Sequence, residues 1–294
     1  MRCAFLTTDD LTGYTTDDQL AADVLQRRGW AVDEIPWRRA GVDWSRYAVV
    51  VIRSTWDYHK SSELFLRTLA SIDASGARLE NPHSIVRWNA AKTYLGELAL
   101  RGIRTVPTIW ARGLGEIDLV RACDEWMTEE VVVKPVVSAS AADTFRIHRS
   151  DSEEARRSIE GLFRERDLMV QPFIRAIVDE GEFSLFYFDG EYSHAILKKP
   201  KDRDFRVQEE HGASITAVEP TAAMRAVAEE VMKRIDQALL YARVDLVRVD
   251  ATFALMELEL VEPALYFRTA SGSAERFAAT IERRASITPR PRAR

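Results

Sequence analysis

The residues best suited to chemistry gather late in the chain. From Tyr241 to Pro263 (YARVDLVRVDATFALMELELVEP), two apolar runs flank Asp250-Ala251, and Glu257 and Glu259 stand two apart on the second run. Strand side chains alternate between faces, so in a hairpin these two glutamates share one face, roughly 7 Å apart. Asp245 on the first run comes within reach of them. Three carboxylates rising from apolar strands repel one another and lose hydration. A hard divalent cation with oxygen ligands, magnesium above all, relieves both costs and is usually completed by substrate phosphates. The same pattern also fits a solvated sheet face that carries acids, and this stretch alone leaves both open.

A second signal is Lys134, which ends the run Val131-Val132-Val133. Lysines seldom sit in buried strands without a partner. This one either snorkels to solvent at the strand end or neutralises a buried phosphate as a compact point charge. The residues from Val136 to Ala142 are small enough for a ligand to approach their backbone closely. A third signal is Arg53-Ser54-Thr55-Trp56-Asp57-Tyr58, which follows an apolar strand. Functional loops of parallel α/β sheets lie beyond the carboxyl ends of the strands. Arg53, Ser54, Thr55 and Asp57 are therefore read as substrate-facing. The alternative is a helix N-terminus capped by Asp57 or Ser61.

The elements that must position these groups follow from pattern and punctuation. Strands are expected at 3–7, 31–35 and 47–52, with helices at 17–28 and 62–74, giving a small parallel α/β domain. A helix over 84–101 leads to a strand opening at 106–108 and a helix at 116–127. Strands at 131–135, 144–148 and 168–172 and a helix at 151–164 come next. A hairpin turns at Asp189-Gly190, a charged loop runs over 199–212, and helices are expected at 221–240 and 273–284.

Composition bounds the rest. The 294 residues suffice for two or three packed units, and 46% hydrophobic with 30% charged residues is ordinary for a globular chain. A net charge of −5 argues against a nucleic-acid partner. Cys3 and Cys123 form neither a disulfide framework nor a metal motif, which suits a cytoplasmic location. The start MRCAFLTTDD lacks the pattern of a signal peptide, no apolar run is long enough for a membrane span, and the basic end TPRPRAR reads as a frayed tail.

Taken in order, Lys92, Lys134, Gln171-Pro172-Phe173-Ile174, Glu182, Arg206 and the three late acids resemble the ATP-grasp superfamily, and within it the glutathione-synthetase-like ligases. The resemblance covers roughly residues 80–285 and, more loosely, the N-terminal part. It implies an α/β (α+β) ATP-grasp fold behind a pre-ATP-grasp domain at 1–105, a lid subdomain at 106–170, a metal-bearing subdomain at 171–285 and a flexible tail at 286–294. It implies ATP and two magnesium ions as cofactors and a small amino-acid-like carboxylate as substrate. By the same resemblance, Lys92, Lys134 and Lys198 meet phosphates, Gln171 to Ile174 meet adenine, and Glu182 meets ribose. Arg206 meets the acyl phosphate, and Asp245, Glu257 and Glu259 hold metal.

The chain departs from the family in two places. The loop at 138–142 has no glycine, although Ser138 or Ser140 can still donate to phosphate, and Glu259 stands where relatives often have asparagine. RSTWDY, the SHAILKKP run, DFRVQ and YARVDLV look most like the D-cycloserine-forming ligases. In those enzymes ATP phosphorylates the carboxylate of O-ureido-D-serine, and an internal nitrogen closes the ring as the ureido carbon leaves as carbon dioxide and ammonia. Other readings that share the nucleotide contacts are another small-substrate amide ligase, an idle ATP-binding regulator, and a kinase with a stable product. His211 is grouped with the substrate-facing residues, and His194 is read as a packed sheet residue. A homo-oligomer remains open.

Overall fold

The computed structural model describes residues 1–151 and 153–286. The expected tail therefore lies, beyond Ser286, outside the described residues. In chain order, the first layer contains β1 (Arg2–Thr7), α1 (Asp18–Arg27), β2 (Ala31–Pro36), β3 (Val49–Ser54), α2 (Ser62–Ala74) and β4 (Arg78–Glu80). Its four strands are all parallel, in the order β2-β1-β3-β4. Every residue of β3 is buried, as an unbroken apolar run covered on both faces requires.

The single helix expected over 84–101 is two: α3 (His83–Asn89) and α4 (Tyr94–Leu100). Between them the Lys92 N–H leaves the helical ladder and donates to Val136 O at 2.9 Å. That break turns the Lys92 side chain inward.

The second layer holds β5 (Ile109–Arg112), α5 (Leu119–Glu125), β6 (Glu130–Pro135), β7 (Phe145–His148), α6 (Glu153–Phe163) and β8 (Asp167–Pro172). Its antiparallel order is β5-β8-β6-β7. β5 starts later than expected because Val106 and Arg104 instead bond the Leu255 backbone in the third layer.

The third layer comprises α7 (Ala176–Asp179), β9 (Glu182–Phe188), β10 (Glu191–Lys199), β11 (Ser214–Ala217), α8 (Ala222–Lys233), β12 (Tyr241–Val249), β13 (Thr252–Glu259) and α9 (Ser273–Ala285). Its sheet is antiparallel, in the order β11-β10-β9-β12-β13. α8 ends at Lys233, short of the expected 240, because Leu239 and Leu240 enter the core and the Leu240 N–H donates to Asn81 Oδ1.

One apolar cluster joins Phe5 and Val49 of the first sheet to Phe186 and Phe188 of the third through Phe277 of α9. The second layer has its own core around Phe163, Val133 and Leu168. A cleft therefore opens between the two sheets that carry Lys134 and Asp245, and both residues line it.

Candidate active site

The β12–β13 ladder sets Asp245 opposite Glu257 and Arg243 opposite Glu259, with the chain turning at Asp250 in a left-handed conformation. Oxygens of Asp245, Glu257 and Glu259 lie within 4.8 Å of one another. Asp245 is only 1% exposed, so these acids do not form a solvated sheet face. A carboxylate-only set at this spacing fits a hard divalent cation.

β13 is an edge strand; its free edge meets the 104–106 backbone at Leu255, and beyond Glu257 it is satisfied by side chains. Tyr94 Oη accepts from the Leu258 N–H at 3.0 Å. The Asn89 carboxamide donates to Leu258 O and accepts from the Leu260 N–H, both at 2.8 Å. Asn81 donates to Leu260 O at 2.8 Å and to Tyr241 O at 2.9 Å. Leaving those buried backbone groups unpaired would be costly, so the bonds fix the strand that carries Glu257 and Glu259.

Burial opposes every charge on this floor, and cations interleaved with the acids offset that opposition. Arg243 bonds Asp245 at 2.9 Å and also bonds Glu259. Ser184 Oγ donates to Asp245 at 2.6 Å, and Lys198 Nζ stands 3.3 Å away. Against burial, Arg243 and Lys198 hold Asp245 down at about 2. Burial raises Glu259 to about 7 despite Arg243. Lys198 lies 2.5 Å from Glu182, whose burial still keeps it above the ordinary glutamate value.

Lys92 lies 2.5 Å from Glu257 and 3.3 Å from Ser138 O. Burial works against both ionised forms, yet Glu257 holds Lys92 up, while Lys92 and Lys134 hold Glu257 down. Lys134 differs from the other lysines lining the cleft, since it makes no ion pair among the described residues. Burial lowers its pKa, and Lys92 adds to that.

Above the floor, Ser138 and its neighbours line the cleft, as do Gln171, Pro172, Phe173 and Ile174. Gln171 Nε2 donates to Thr108 Oγ1 at 3.0 Å, and the Phe173 N–H donates to Glu130 O at 2.9 Å, which anchors this segment to the β5 and β6 sides of its own sheet. The glycine-free loop turns by placing Ser140, Ala141 and Asp143 at φ of 52°, 53° and 52°. Small and Asx-type side chains take the left-handed positions there. Arg206 also lines the cleft, with its guanidinium held by Asp204 at 2.8 Å.

The loop after β3 is a partial correction. Arg53 is 2% exposed and faces Asp18 at 2.8 Å and Pro263 O at 3.2 Å. Ser54 donates to Asp18, and the Thr55 hydroxyl is buried without a partner. Asp57 accepts from Trp37 Nε1 at 2.7 Å and from Arg38. None of these four lines the cleft, whereas the adjacent Trp56 and Tyr58 do. The polar residues turn back into the first domain because a buried arginine needs a carboxylate. His211 likewise lies off the cleft wall, its Nε2 3.1 Å from Ser140 O in the glycine-free loop. His194 is packed as expected, stacked on Phe186 with centroids 4.3 Å apart.

Sequence reading missed Arg243, Glu262, Tyr14 and Thr15, all of which line the cleft. Strand alternation could have found Arg243, two residues from Asp245 on the same face. Glu262 follows the strand's end, where alternation no longer applies.

Comparisons with known proteins agree with this geometry. Residues 3–81 match the family model described as "D-cycloserine synthetase DcsG, N-terminal domain", and residues 116–264 match "Prokaryotic glutathione synthetase, ATP-grasp domain". The chain is 32% identical over 271 residues to the cycloserine biosynthesis protein DcsG of Streptomyces lavendulae, covering 87% of this chain and 89% of that one. A crystal structure of D-cycloserine synthetase DcsG superposes with a TM-score of 0.83 at 29% identity, covering 97% of this chain and all of that one. D-alanine–D-alanine ligase of Bacillus anthracis in complex with ATP shares the fold, with a TM-score of 0.67, 13% identity and 97% of both chains covered. The chain thus belongs to the ATP-grasp ligase family, as an ATP-dependent, ADP-forming carbon–nitrogen ligase that acts on a small molecule and uses a divalent metal.

Proposed function

We propose that the chain activates the carboxylate of a small amino acid as an acyl phosphate and closes an internal amide bond, as in D-cycloserine formation from O-ureido-D-serine. The observation that carries this reading is charge placement: an unpaired Lys134 and three convergent acids line one cleft. A triphosphate needs the first and a metal needs the second, and phosphoryl transfer depends on positioning and charge neutralisation. The relatives' printed names supply the substrate part of the reading.

In this scheme Lys92, Lys134 and Lys198 hold phosphates, Gln171 to Ile174 receive adenine, and Glu182 receives ribose. Asp245, Glu257 and Glu259 would hold two magnesium ions, which supply neutralisation of phosphate charge when bound. Arg206 offers a planar fork to the activated carboxylate. Ser138 donates from the lid, and residues 106–170 act as that lid between the units at 1–105 and 171–285.

An ADP-release screen of amino-acid carboxylates, including O-ureido-D-serine, tests the proposal. ADP release that requires the carboxylate and yields a cyclic amide supports it. Release without any carboxylate, or a stable phosphorylated product, contradicts it.

A further inference from the structure

Pairing off the acids that line the cleft leaves Glu262 without an ion-pair partner among the described residues. Glu257 has Lys92, Asp245 has Arg243 and Lys198, Glu182 has Lys198, Glu259 has Arg243, and Glu209 has Arg268. Glu210 is exposed at the rim, where water serves it. Glu262 is half-buried and makes no side-chain hydrogen bond or ion pair among the described residues. A half-buried carboxylate with no protein partner among the described residues has room and reason to take a cation.

The walls beside it say which cation. Trp56 donates its indole N–H to the Glu262 carbonyl at 2.9 Å, and the Tyr14 ring lies 5.0 Å from the Trp56 ring. Tyr58 is 4% exposed, lines the same cleft, and makes no hydrogen bond with its hydroxyl among the described residues. Glu262 also lies outside the oxygen cluster formed by Asp245, Glu257 and Glu259. Magnesium demands a compact octahedron of oxygens, whereas aromatic faces favour a larger, partly desolvated organic cation.

We propose that Glu262, walled by Tyr14, Trp56 and Tyr58, binds the α-ammonium group of the substrate amino acid. The site rests on the reading that the substrate is an amino-acid carboxylate. An α-ammonium is one carbon removed from the carboxylate, so a subsite three residues beyond Glu259 places it next to the floor where the carboxylate is activated. Burial, reinforced by Glu259, raises Glu262 to about 8, the behaviour of a carboxyl that lacks its counter-ion.

The test uses the full chain with magnesium and a non-hydrolysable ATP analogue, titrated calorimetrically with O-ureido-D-serine and with its α-hydroxy counterpart. Wild-type protein should bind the amine about 10- to 100-fold more tightly, the worth of one charge-assisted hydrogen bond. Glu262→Gln should lose that preference while keeping its affinity for the ATP analogue, which also shows that the variant is folded. Trp56→Leu should lose part of it. Wild-type protein that binds both compounds equally, or binds neither, overturns the proposal, as does a Glu262→Gln variant that keeps the preference. ADP release separates the two readings. A chain that prefers the amine but releases no ADP with it keeps the ammonium site and sinks the amino-acid ligase reading. ADP release with the preference intact in Glu262→Gln sinks the ammonium site alone.

Discussion

Asn89 grips the backbone on both sides of Glu259: its carboxamide takes Leu258 O and the Leu260 N–H, each at 2.8 Å. An acid on an unpaired edge strand would otherwise move with that edge, and a metal site is only as precise as the groups behind its ligands. Asn89→Ala should therefore raise the magnesium concentration needed for half-maximal ADP release by about 10-fold or more. The KM for ATP at saturating magnesium should change much less. A magnesium titration of the variant checks this, and an unchanged requirement would remove the positioning role.

Lys134 is half-buried and makes no ion pair among the described residues, as the proposed phosphate contact requires. Lys134→Met should lower kcat/KM for ATP by about 10- to 100-fold, the worth of a hydrogen bond to a charged group. The melting temperature should stay the same or rise, because a desolvated ammonium is replaced by an apolar side chain of similar length. Steady-state kinetics and thermal unfolding of one preparation decide the matter. A marked drop in melting temperature would mean that Lys134 serves the fold.

Arg53 and Trp56 are three residues apart and should separate cleanly. Arg53→Ala strands Asp18 and should cost roughly 3–5 kcal/mol of stability, with KM values of the folded fraction unchanged. Trp56→Ala should raise the KM for the carboxylate substrate and leave the KM for ATP alone. Urea unfolding and initial rates distinguish the two; a raised substrate KM in folded Arg53→Ala would restore Arg53 to the substrate loop.

His194 supplies a pH signature. Burial lowers its pKa from 6.5 to about 4, although its ring hydrogen bond to Leu265 O, at 2.9 Å, favours the charged form. Between those values the unfolded chain binds more protons, so stability falls as pH drops from 6.5 towards 4 and is complete above 6.5. The loss amounts to about 3 kcal/mol. His194→Phe should flatten this part of the profile relative to wild type in urea unfolding at pH 7 and pH 4.5. Parallel profiles would show that His194 does not carry the effect.

Local pattern made much of this fold legible. Strand alternation puts Glu257 and Glu259 on one face, but Asp245 joins them only through a register shift between Asp245 and Leu246, which sets it opposite Glu257 rather than Met256. The Val131–Val133 run likewise announced the strand that carries Lys134, although only alternate residues of it are buried. What escaped depends on tertiary partners. The helix break at Ala90–Thr93 exists because Val136 O competes for the Lys92 N–H. Arg53 turns inward because Asp18, 35 residues away, is its counter-ion. Glu262 stands apart only through the ion pairs of the buried acids around it, which are tertiary contacts.

The most direct test of the activation chemistry follows one oxygen atom. With O-ureido-D-serine carrying oxygen-18 in its carboxylate, that oxygen attacks the γ-phosphorus, and the carbonyl carbon–oxygen bond then breaks as the ring nitrogen adds. One labelled oxygen per ADP should therefore appear in the inorganic phosphate released, alongside singly labelled cyclic product. Unlabelled phosphate, or label retained in a stable phosphorylated substrate, would contradict acyl-phosphate activation in this cleft.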